Sequence, residues 1–393
     1  LDIVISAPQG GAGYSGYVYI FFGDIDPWSG KYYAGDSAIS FTIGDDSSYL
    51  GTGIAIGDLN DDGYDDLLIG TPKWREADFG LLQLYFGGSR SYIESQSPSS
   101  WMGQIGANLG TSVCVGDFNG DNIDDFAVSS PNLEGDPVEE DRPKAGIVEV
   151  NFGPISSGSN PMDVEIRGPL RKTQIGEALA SMDANGDGKD ELVIGAPSGS
   201  AGSINQQGNV FVLEGRDNWP SVIDLAEDPN ARLDGAWPYD QTGTSLNASD
   251  LNGDGKQDLI IGAPYGDGFM RTTDNAGIVY VVMGEAIEGI LSGGVIKLKS
   301  DSNFTLFGTQ EKQKFGASVA SGDLNDDDRQ DIAIGSPGWL NPRSLFRSGG
   351  VFIYLNFGDP EGLMINSSTL PNIPGKEVND QCGYSLYSQN LDH

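Results

Sequence analysis

The sequence predicts an all-β protein: a β-propeller of four-stranded antiparallel blades, six blades in all. Three observations predict this fold. The acidic nine-residue pattern D-x-N-x-D-x-x-x-[DE] occurs five times, a glycine stands seven residues before each copy, and further β-rich stretches complete a unit of about 65 residues. No amphipathic helix of useful length interrupts the units. We therefore expect residues 1–393 to form one domain of repeats.

Each unit opens on an anchor glycine at the start of its first strand. The anchors are Gly51, Gly110, Gly176, Gly243, Gly316 and Gly383. The acidic loop follows, then a short apolar second strand that ends in Pro, such as 67–72, and a third strand that closes in Gly, such as 82–87. A weaker fourth strand comes next; in the unit of Gly243, either 295–298 or 303–307 fits this role.

The two ends of the chain share one blade in this prediction. Residues 1–8 match the end of a loop and its second strand, whereas the stretch that begins at Gly383 matches a first strand and the opening of a loop. Together with the five complete units, the two ends supply the strands of six whole blades. We therefore expect a C-terminal strand to pair beside 1–8 and close the ring.

The repeated loop has the oxygen spacing of a calcium site. Calcium takes six to eight oxygens at about 2.3–2.6 Å, which side chains at positions 1, 3, 5 and 9 and the carbonyl of position 7 can supply. In loop 1 these are Asp58, Asn60, Asp62, the Tyr64 carbonyl and Asp66. The corresponding residues are Asp117, Asn119, Asp121, Ile123 and Asp125 in loop 2; Asp183, Asn185, Asp187, Lys189 and Glu191 in loop 3; Asp250, Asn252, Asp254, Lys256 and Asp258 in loop 4; and Asp323, Asn325, Asp327, Arg329 and Asp331 in loop 5. The sequence predicts about five Ca²⁺ ions, between strands 1 and 2 of five blades.

Two other interpretations of these loops are weaker. An EF-hand needs a bidentate Glu at position 12 and a helix on each side. Position 12 is instead an apolar residue inside a strand-like run, such as Ile69 in loop 1 and Val128 in loop 2. A single acidic turn could equally be a solvated hairpin tip. Five copies that keep the ligand types at four fixed positions favour calcium.

Composition excludes several classes of function. The chain has 22 Lys and Arg against 57 Asp and Glu, a net charge of −35, so neither nucleic acid nor an anionic membrane is an expected partner. No apolar run of about 18 residues predicts insertion into a membrane. The single histidine, His393, leaves no basis for a Ser-His-Asp triad or a multi-histidine zinc site. We therefore expect no catalytic activity from this chain.

Short motifs around the loops resemble a known repeat family. Phe315-Gly316 before a loop, with Gly195-Ala196-Pro197 or Gly262-Ala263-Pro264 after one, is similar to FG-GAP repeats. Such repeats build the propeller head of integrin α subunits and occur in glycosylphosphatidylinositol-specific phospholipase D. The resemblance implies a secreted or cell-surface propeller for adhesion or ligand binding. It leaves open an accessory propeller of a larger secreted enzyme or a structural subunit of a surface assembly, and it makes seven blades the alternative to six.

The face opposite the calcium loops is the expected site of a protein or glycan partner. In a four-stranded blade the 1–2 connections lie on one face and the long 2–3 connections on the other, where binding residues usually gather. Three 2–3 connections place Arg beside aromatic residues, a composition typical of interface hot spots. The candidates are Trp74, Arg75, Phe269, Arg271, Trp339 and Arg343. Alternatively, the aromatics cover the blades and the Arg side chains pair with the surplus of acid.

Overall fold

The computed structural model describes residues 3–22, 35, 37, 39–75, 77–134, 142–156, 162–200, 205–227, 231–342, 346–355, 364–374 and 381–386. Six main sheets follow one another along the chain, one for each blade. The predicted all-β propeller of six blades is confirmed. In these residues, no helix is both long and apolar enough to cross a bilayer.

The blades, numbered in chain order, contain the following strands. Blade 1 has β1 (Ile3–Ala7), β2 (Tyr17–Phe21) and β3 (Ile39–Phe41); blade 2 has β4 (Ile54–Gly57), β5 (Asp66–Thr71), β6 (Leu81–Tyr85) and β7 (Ser99–Met102); blade 3 has β8 (Val113–Gly116), β9 (Asp125–Ser130), β10 (Ile147–Asn151), β11 (Val164–Arg167) and β15 (Val222–Asp224). Blade 4 has β12 (Leu179–Met182), β13 (Glu191–Ala196), β14 (Asn209–Leu213), β16 (Ala231–Asp234) and β20 (Val295–Lys297); blade 5 has β17 (Ser245–Ser249), β18 (Asp258–Ala263), β19 (Ile278–Val282), β21 (Phe304–Phe307) and β27 (Met364–Asn366); blade 6 has β22 (Ser318–Gly322), β23 (Asp331–Ser336), β26 (Gly350–Tyr354) and β28 (Asn372–Pro374).

The remaining elements lie in the connections. A two-stranded ribbon, β24 (Leu340–Asn341) with β25 (Phe346–Arg347), stands in the 2–3 connection of blade 6. Short helices are α1 (Arg90–Ser95), α2 (Gly284–Glu288) and α3 (Leu298–Asp301), and 3₁₀ turns cover Ala12–Tyr14, Phe269–Arg271 and Ser367–Thr369.

Blades 3, 4 and 5 correct the expectation of four antiparallel strands. Each has a fifth strand at its outer edge that pairs in parallel: β15 on β11, β20 on β16 and β27 on β21. Each fifth strand comes from the 3–4 connection of the next blade. Residues 295–298 are therefore not a fourth strand of their own unit, because β20 completes blade 4 and β21 is the fourth strand of blade 5.

Five hydrophobic clusters fill the boundaries between successive blades. The second strands contribute to these clusters from both faces: in β5, β9, β13 and β18 every residue is buried, so both faces carry apolar side chains. In blades 2 to 6 the 3–4 connection also inserts isoleucine into the cluster between its own blade and the preceding one. These residues include Ile93, Ile155, Ile223, Ile296 and Ile365.

The stretch at Gly383 begins as the other units do. Gly383 has a left-handed φ of 80° like the five other anchors, and its neighbour Cys382 bridges to Gly349 as Phe315 bridges to Gly277. A side chain at an anchor would be strained and crowded: a Cβ on Gly110 would lie 2.8 Å from the Cα of Gly70. The predicted ring-closing strand lies between Gly383 and loop positions 1 to 3 at 390–392, and beyond residue 386 this stretch lies outside the described residues.

Candidate calcium loops and the opposite face

All five acidic loops join the first strand of a blade to its second, as predicted. Position 9 is the first residue of the second strand in every case. The carboxylates at this position are those of Asp66, Asp125, Glu191, Asp258 and Asp331, and all five residues are 0% exposed. The last predicted ligand of each loop is therefore fixed by a strand.

Backbone N–H groups turn the other acidic side chains inward. In loop 1 the Asp58 carboxylate accepts hydrogen bonds from the N–H of Asp62 at 3.1 Å and of Gly63 at 2.8 Å. The Asp62 carboxylate accepts one from the N–H of Tyr64 at 2.9 Å. Loops 2 to 5 repeat all three bonds. The sequence thus builds a pre-arranged ring of oxygens around each turn.

In loop 1 the position 9 carboxylate is held by two backbone N–H groups from outside its own strand. Asp66 accepts hydrogen bonds from Leu59 at 3.1 Å and from Gly87 at 2.7 Å. Burial away from water, with a smaller effect of the nearby Asp62 and Asp58 carboxylates, raises the pKa of Asp66 to about 7. Burial likewise raises the pKa of Asp125 and of Glu191 to about 8. A buried carboxylate in such surroundings is stabilised when a cation binds beside it.

Neutral oxygens in the loops fit the same cation. The Asn60 Oδ1 atom, at position 3 of loop 1, is buried and has no hydrogen-bond partner. Among the described residues, none of the carbonyls at position 7 accepts a hydrogen bond. No group of three or more His, Cys, Asp or Glu side chains within the described ranges is placed to hold a metal by itself. The donor set that fits is mixed: carboxylates, an amide oxygen and a carbonyl, which suits calcium. Bound calcium would neutralise the clustered carboxylates.

Position 8 carries a function that we did not predict from the sequence. The Asp124 carboxylate of loop 2 reaches back to blade 2 and accepts a hydrogen bond from the backbone N–H of Asp58 at 2.9 Å. Asp190 of loop 3 does the same for Asp117 at 3.1 Å, and the Gln257 amide oxygen of loop 4 does so for Asp183 at 3.2 Å. The sequence signal was a hydrogen-bond acceptor, Asp or Gln, at position 8 of every loop.

On the opposite face, the structure brings Trp74 and Arg75 together in the 2–3 connection of blade 2. The Arg75 guanidinium lies 4.1 Å from the centroid of the Trp74 ring, and Arg75 is exposed. Its backbone N–H donates to Asp45 at 2.8 Å, which fixes the turn. This pair therefore presents a stacked cation and ring at the surface.

Phe269 and Arg271 belong to a larger group of side chains at the surface of blade 5 and of the connection from blade 4 into it. Phe269 packs edge-on against Phe307 with 5.5 Å between ring centroids, and Arg271 pairs with Asp267 at 2.7 Å. The Arg271 guanidinium also lies 5.0 Å from the centroid of the Trp237 ring. We call Trp237, Tyr239, Phe269, Met270 and Arg271 the blade 5 patch; within it Tyr239 is 59% and Met270 76% exposed.

Trp339 departs from the expectation of an exposed partner residue. It is only 7% exposed and packs edge-on against Phe352, with 5.5 Å between ring centroids, in the cluster between blades 5 and 6. Its large apolar ring gains more from this burial than from contact with water. The other candidate of this connection, Arg343, lies outside the described residues.

The comparison with family models decides the family. The FG-GAP repeat model matches residues 50–84, 109–137, 175–213, 242–282 and 315–354, each beginning one residue before a predicted anchor glycine. The chain is an FG-GAP repeat protein. This FG-GAP protein is homologous to phosphatidylinositol-glycan-specific phospholipase D of Mus musculus, with 28% identity over 68% of the chain and 31% of the relative. It is also homologous to integrin alpha-5 of Xenopus laevis, with 29% identity over 56% of the chain and 20% of the relative.

The FG-GAP chain therefore spans less than a third of the length of these relatives. Among solved structures, the Vibrio cholerae biofilm matrix protein Bap1 is similar over 83% of this chain and 40% of that one, at 15% identity and a TM-score of 0.36. A similarity of that size carries no functional argument. Homology to the phospholipase and integrin chains agrees with the resemblance seen in the sequence.

Proposed function

We propose that this chain is a calcium-stabilised, extracellular propeller that binds a protein or glycan partner on the face opposite the calcium loops. The observation that carries the calcium assignment is the fully buried carboxylate at position 9 of all five loops. The proposed extracellular location is compatible with this assignment, since extracellular calcium modules work with dissociation constants of about 10⁻⁴–10⁻³ M. The ions serve as stiffeners and touch neither partner nor substrate.

The blade 5 patch is the proposed centre of the binding face. It combines an exposed tyrosine and methionine with a guanidinium stacked near a tryptophan, a composition favoured at interface hot spots. The Trp74 and Arg75 pair offers the same chemistry in blade 2. Rings and guanidinium groups suit either a protein surface or the apolar face of a sugar.

A second candidate is an accessory propeller of a larger secreted enzyme. It is favoured by the match to phosphatidylinositol-glycan-specific phospholipase D, of which this chain covers 31% in the mouse protein. In both proposals this portion of the protein has no catalytic activity of its own, because its carboxylates are committed to calcium and its one histidine is His393.

The test uses the purified chain on a glycan array and on a panel of immobilised extracellular-matrix proteins. Each is probed in 2 mM calcium, about the level that a weak extracellular site needs, and again after chelation. Binding to a defined glycan or matrix protein that is lost with chelator supports the proposal. Hydrolysis of a phosphatidylinositol glycan by the chain alone would contradict it.

A further inference from the structure

The hydrogen bonds at position 8 connect neighbouring calcium loops directly. Asp124 precedes Asp125, the buried position 9 residue of loop 2, while its own carboxylate is bonded to Asp58, position 1 of loop 1. One dipeptide therefore serves two loops. An ion that fixes Asp125 also fixes its neighbour Asp124. Because Asp124 is hydrogen-bonded to the Asp58 backbone, the same ion also positions the Asp58 carboxylate in loop 1.

The chain makes room for this contact. Gly57 stands just before Asp58, and a Cβ at Gly57 would lie 2.5 Å from the Asp124 Oδ2 atom. Gly116 has the same relation to Asp190 Oδ2, also at 2.5 Å. A larger residue at either glycine would displace the carboxylate. Neither glycine needs a left-handed φ, so backbone conformation does not explain them.

At two blade boundaries a backbone hydrogen bond joins the same two loop positions a second time. The N–H of Asp190 donates to the carbonyl of Asp117 at 2.8 Å, and the N–H of Gln257 donates to the carbonyl of Asp183 at 2.8 Å. Position 1 of loops 2 and 3 is thus held at both its N–H and its carbonyl by position 8 of the following loop.

The boundary between loops 4 and 5 is different. Gln330 occupies position 8 of loop 5, yet among the described residues no hydrogen bond joins it to Asp250, position 1 of loop 4. Loop 5 therefore lacks the connection that runs through loops 1 to 4. It provides a control inside the same chain.

We infer that Asp124, Asp190 and Gln257 are positioning residues that couple calcium binding in loops 1 to 4, so that an ion in one loop raises the affinity of the loop before it. Loop 5 binds independently. This inference rests on the proposed calcium sites. Because binding linkage is reciprocal, the preceding loop raises the affinity of the following loop by the same factor.

Terbium provides a readout for loop 1. It replaces calcium at oxygen sites, and its emission is sensitised by a nearby tyrosine. Tyr64 is the position 7 residue of loop 1, whereas Ile, Lys, Lys and Arg occupy position 7 of the other loops. The part of the emission that disappears in Tyr64→Phe therefore reports loop 1. Titrating terbium into the metal-free chain, with and without Tyr64→Phe, gives the affinity of that loop alone.

In this titration we expect Asp124→Ala to weaken terbium binding at loop 1 by about five- to tenfold. Asp124→Asn should change it less than about twofold, because Gln257 shows that an amide oxygen performs the same role. Gln330→Ala should leave it unchanged. Melting in saturating calcium shows which variants are folded. If Asp124→Ala does not fold, Asp121→Ala in the wild-type background still tests the coupling, because an unchanged loop 1 affinity in that variant would overturn it.

The decisive comparison removes the ion of loop 2. Asp121→Ala should weaken loop 1 in the wild-type background but not in the Asp124→Ala background. An unchanged loop 1 affinity in Asp121→Ala, or an equal loss in both backgrounds, would overturn the coupling. Failure of the calcium assignment itself looks different: the unmutated chain would then show no Tyr64-dependent terbium emission.

Discussion

The Asp66 carboxylate and the Gly87 backbone N–H lie 2.7 Å apart, which ties the last ligand position of loop 1 to the end of the third strand of blade 2. Asp125 and Gly153 repeat this bond in blade 3, at 2.8 Å. Position 9 therefore joins the second strand, the third strand and the loop. A cation bound there would stiffen most of a blade rather than one turn, so that metal binding and folding are linked.

Removal of calcium should destabilise the chain strongly. A site with a dissociation constant of about 10⁻⁴–10⁻³ M adds about 0.6–1.8 kcal/mol in 2 mM calcium, and five loops act together. We expect thermal unfolding in 2 mM calcium to occur roughly 5–10 °C above that in chelator. Magnesium at equal ionic strength is the control, because its small octahedral shell fits these loops poorly. Equal melting temperatures in protein proven metal-free would refute the calcium sites.

Neutralising one position 9 carboxylate should have opposite effects with and without metal. Asp125 is buried, and burial raises its pKa to about 8. At pH 8.5 in chelator its charge is costly, so Asp125→Asn should stabilise the chain by roughly 1 kcal/mol or more. In calcium the same change removes a ligand and should lower the melting temperature. Urea unfolding in both conditions checks this reversal, and a change of the same sign in both would contradict it.

The repeat and the positions of the acidic loops could be predicted because both are local. Anchor glycines and loop positions 1 to 9 lie within a few residues of each other, so spacing alone identifies them. The contacts that were missed join distant residues: Asp124 bonds to Asp58, and Ile223 in β15 crosses to the edge of blade 3. A strand of three residues is too short to show a periodic pattern of apolar residues, so the sequence did not predict it. Trp339 was misplaced for the same reason, since its burial depends on Phe352 from another strand.

Glu149 should give the chain a pH dependence that is independent of metal. Burial, with a smaller effect of the Glu165 carboxylate opposite it in β11, raises the pKa of Glu149 to about 7. The folded state therefore holds a proton that the unfolded state loses near pH 4.5. Glu149 therefore does not reduce the free energy of unfolding below that pH, and the free energy of unfolding falls as the pH rises towards about 7.

We accordingly expect Glu149→Gln to leave the free energy of unfolding nearly unchanged at pH 4.5 and to raise it at pH 8. Urea titrations in constant calcium measure this difference. Glu214→Gln, on an exposed side chain after β14, is the matched control and should shift neither value. A Glu149→Gln effect of equal size at both pH values would show that charge is not its cause.

The isoleucines of the 3–4 connections should each stabilise a blade boundary. Ile223 is 1% exposed in the cluster between blades 3 and 4, whereas its neighbour Val222 in β15 is 44% exposed. Ile223→Ala should lower the free energy of unfolding by about 2–4 kcal/mol, because it removes buried apolar surface and leaves a cavity. Val222→Ala should change the free energy of unfolding by no more than about 0.5 kcal/mol. Urea unfolding in calcium compares the two. Similar losses would mean that β15 acts through its backbone pairing alone.

The blade 5 patch should determine partner binding without affecting stability. Phe269 is 37% exposed and Arg271 lies at the surface beside Trp237, so both can contact a partner. Combined Phe269→Ala and Arg271→Ala should weaken binding to the glycan or matrix protein found on the arrays by roughly 2 kcal/mol, about thirtyfold. The melting temperature in calcium should stay within a few degrees.

The control for this prediction lies on the other face. Asp61 occupies position 4 of loop 1, is not a predicted ligand and has a left-handed φ of 57°, a conformation that Asn tolerates well. Asp61→Asn should therefore change neither partner binding nor melting. Surface plasmon resonance on the immobilised partner measures all three proteins side by side. If Asp61→Asn weakens binding while the blade 5 variant does not, the partner binds on the calcium face, and calcium then stands at the interface itself.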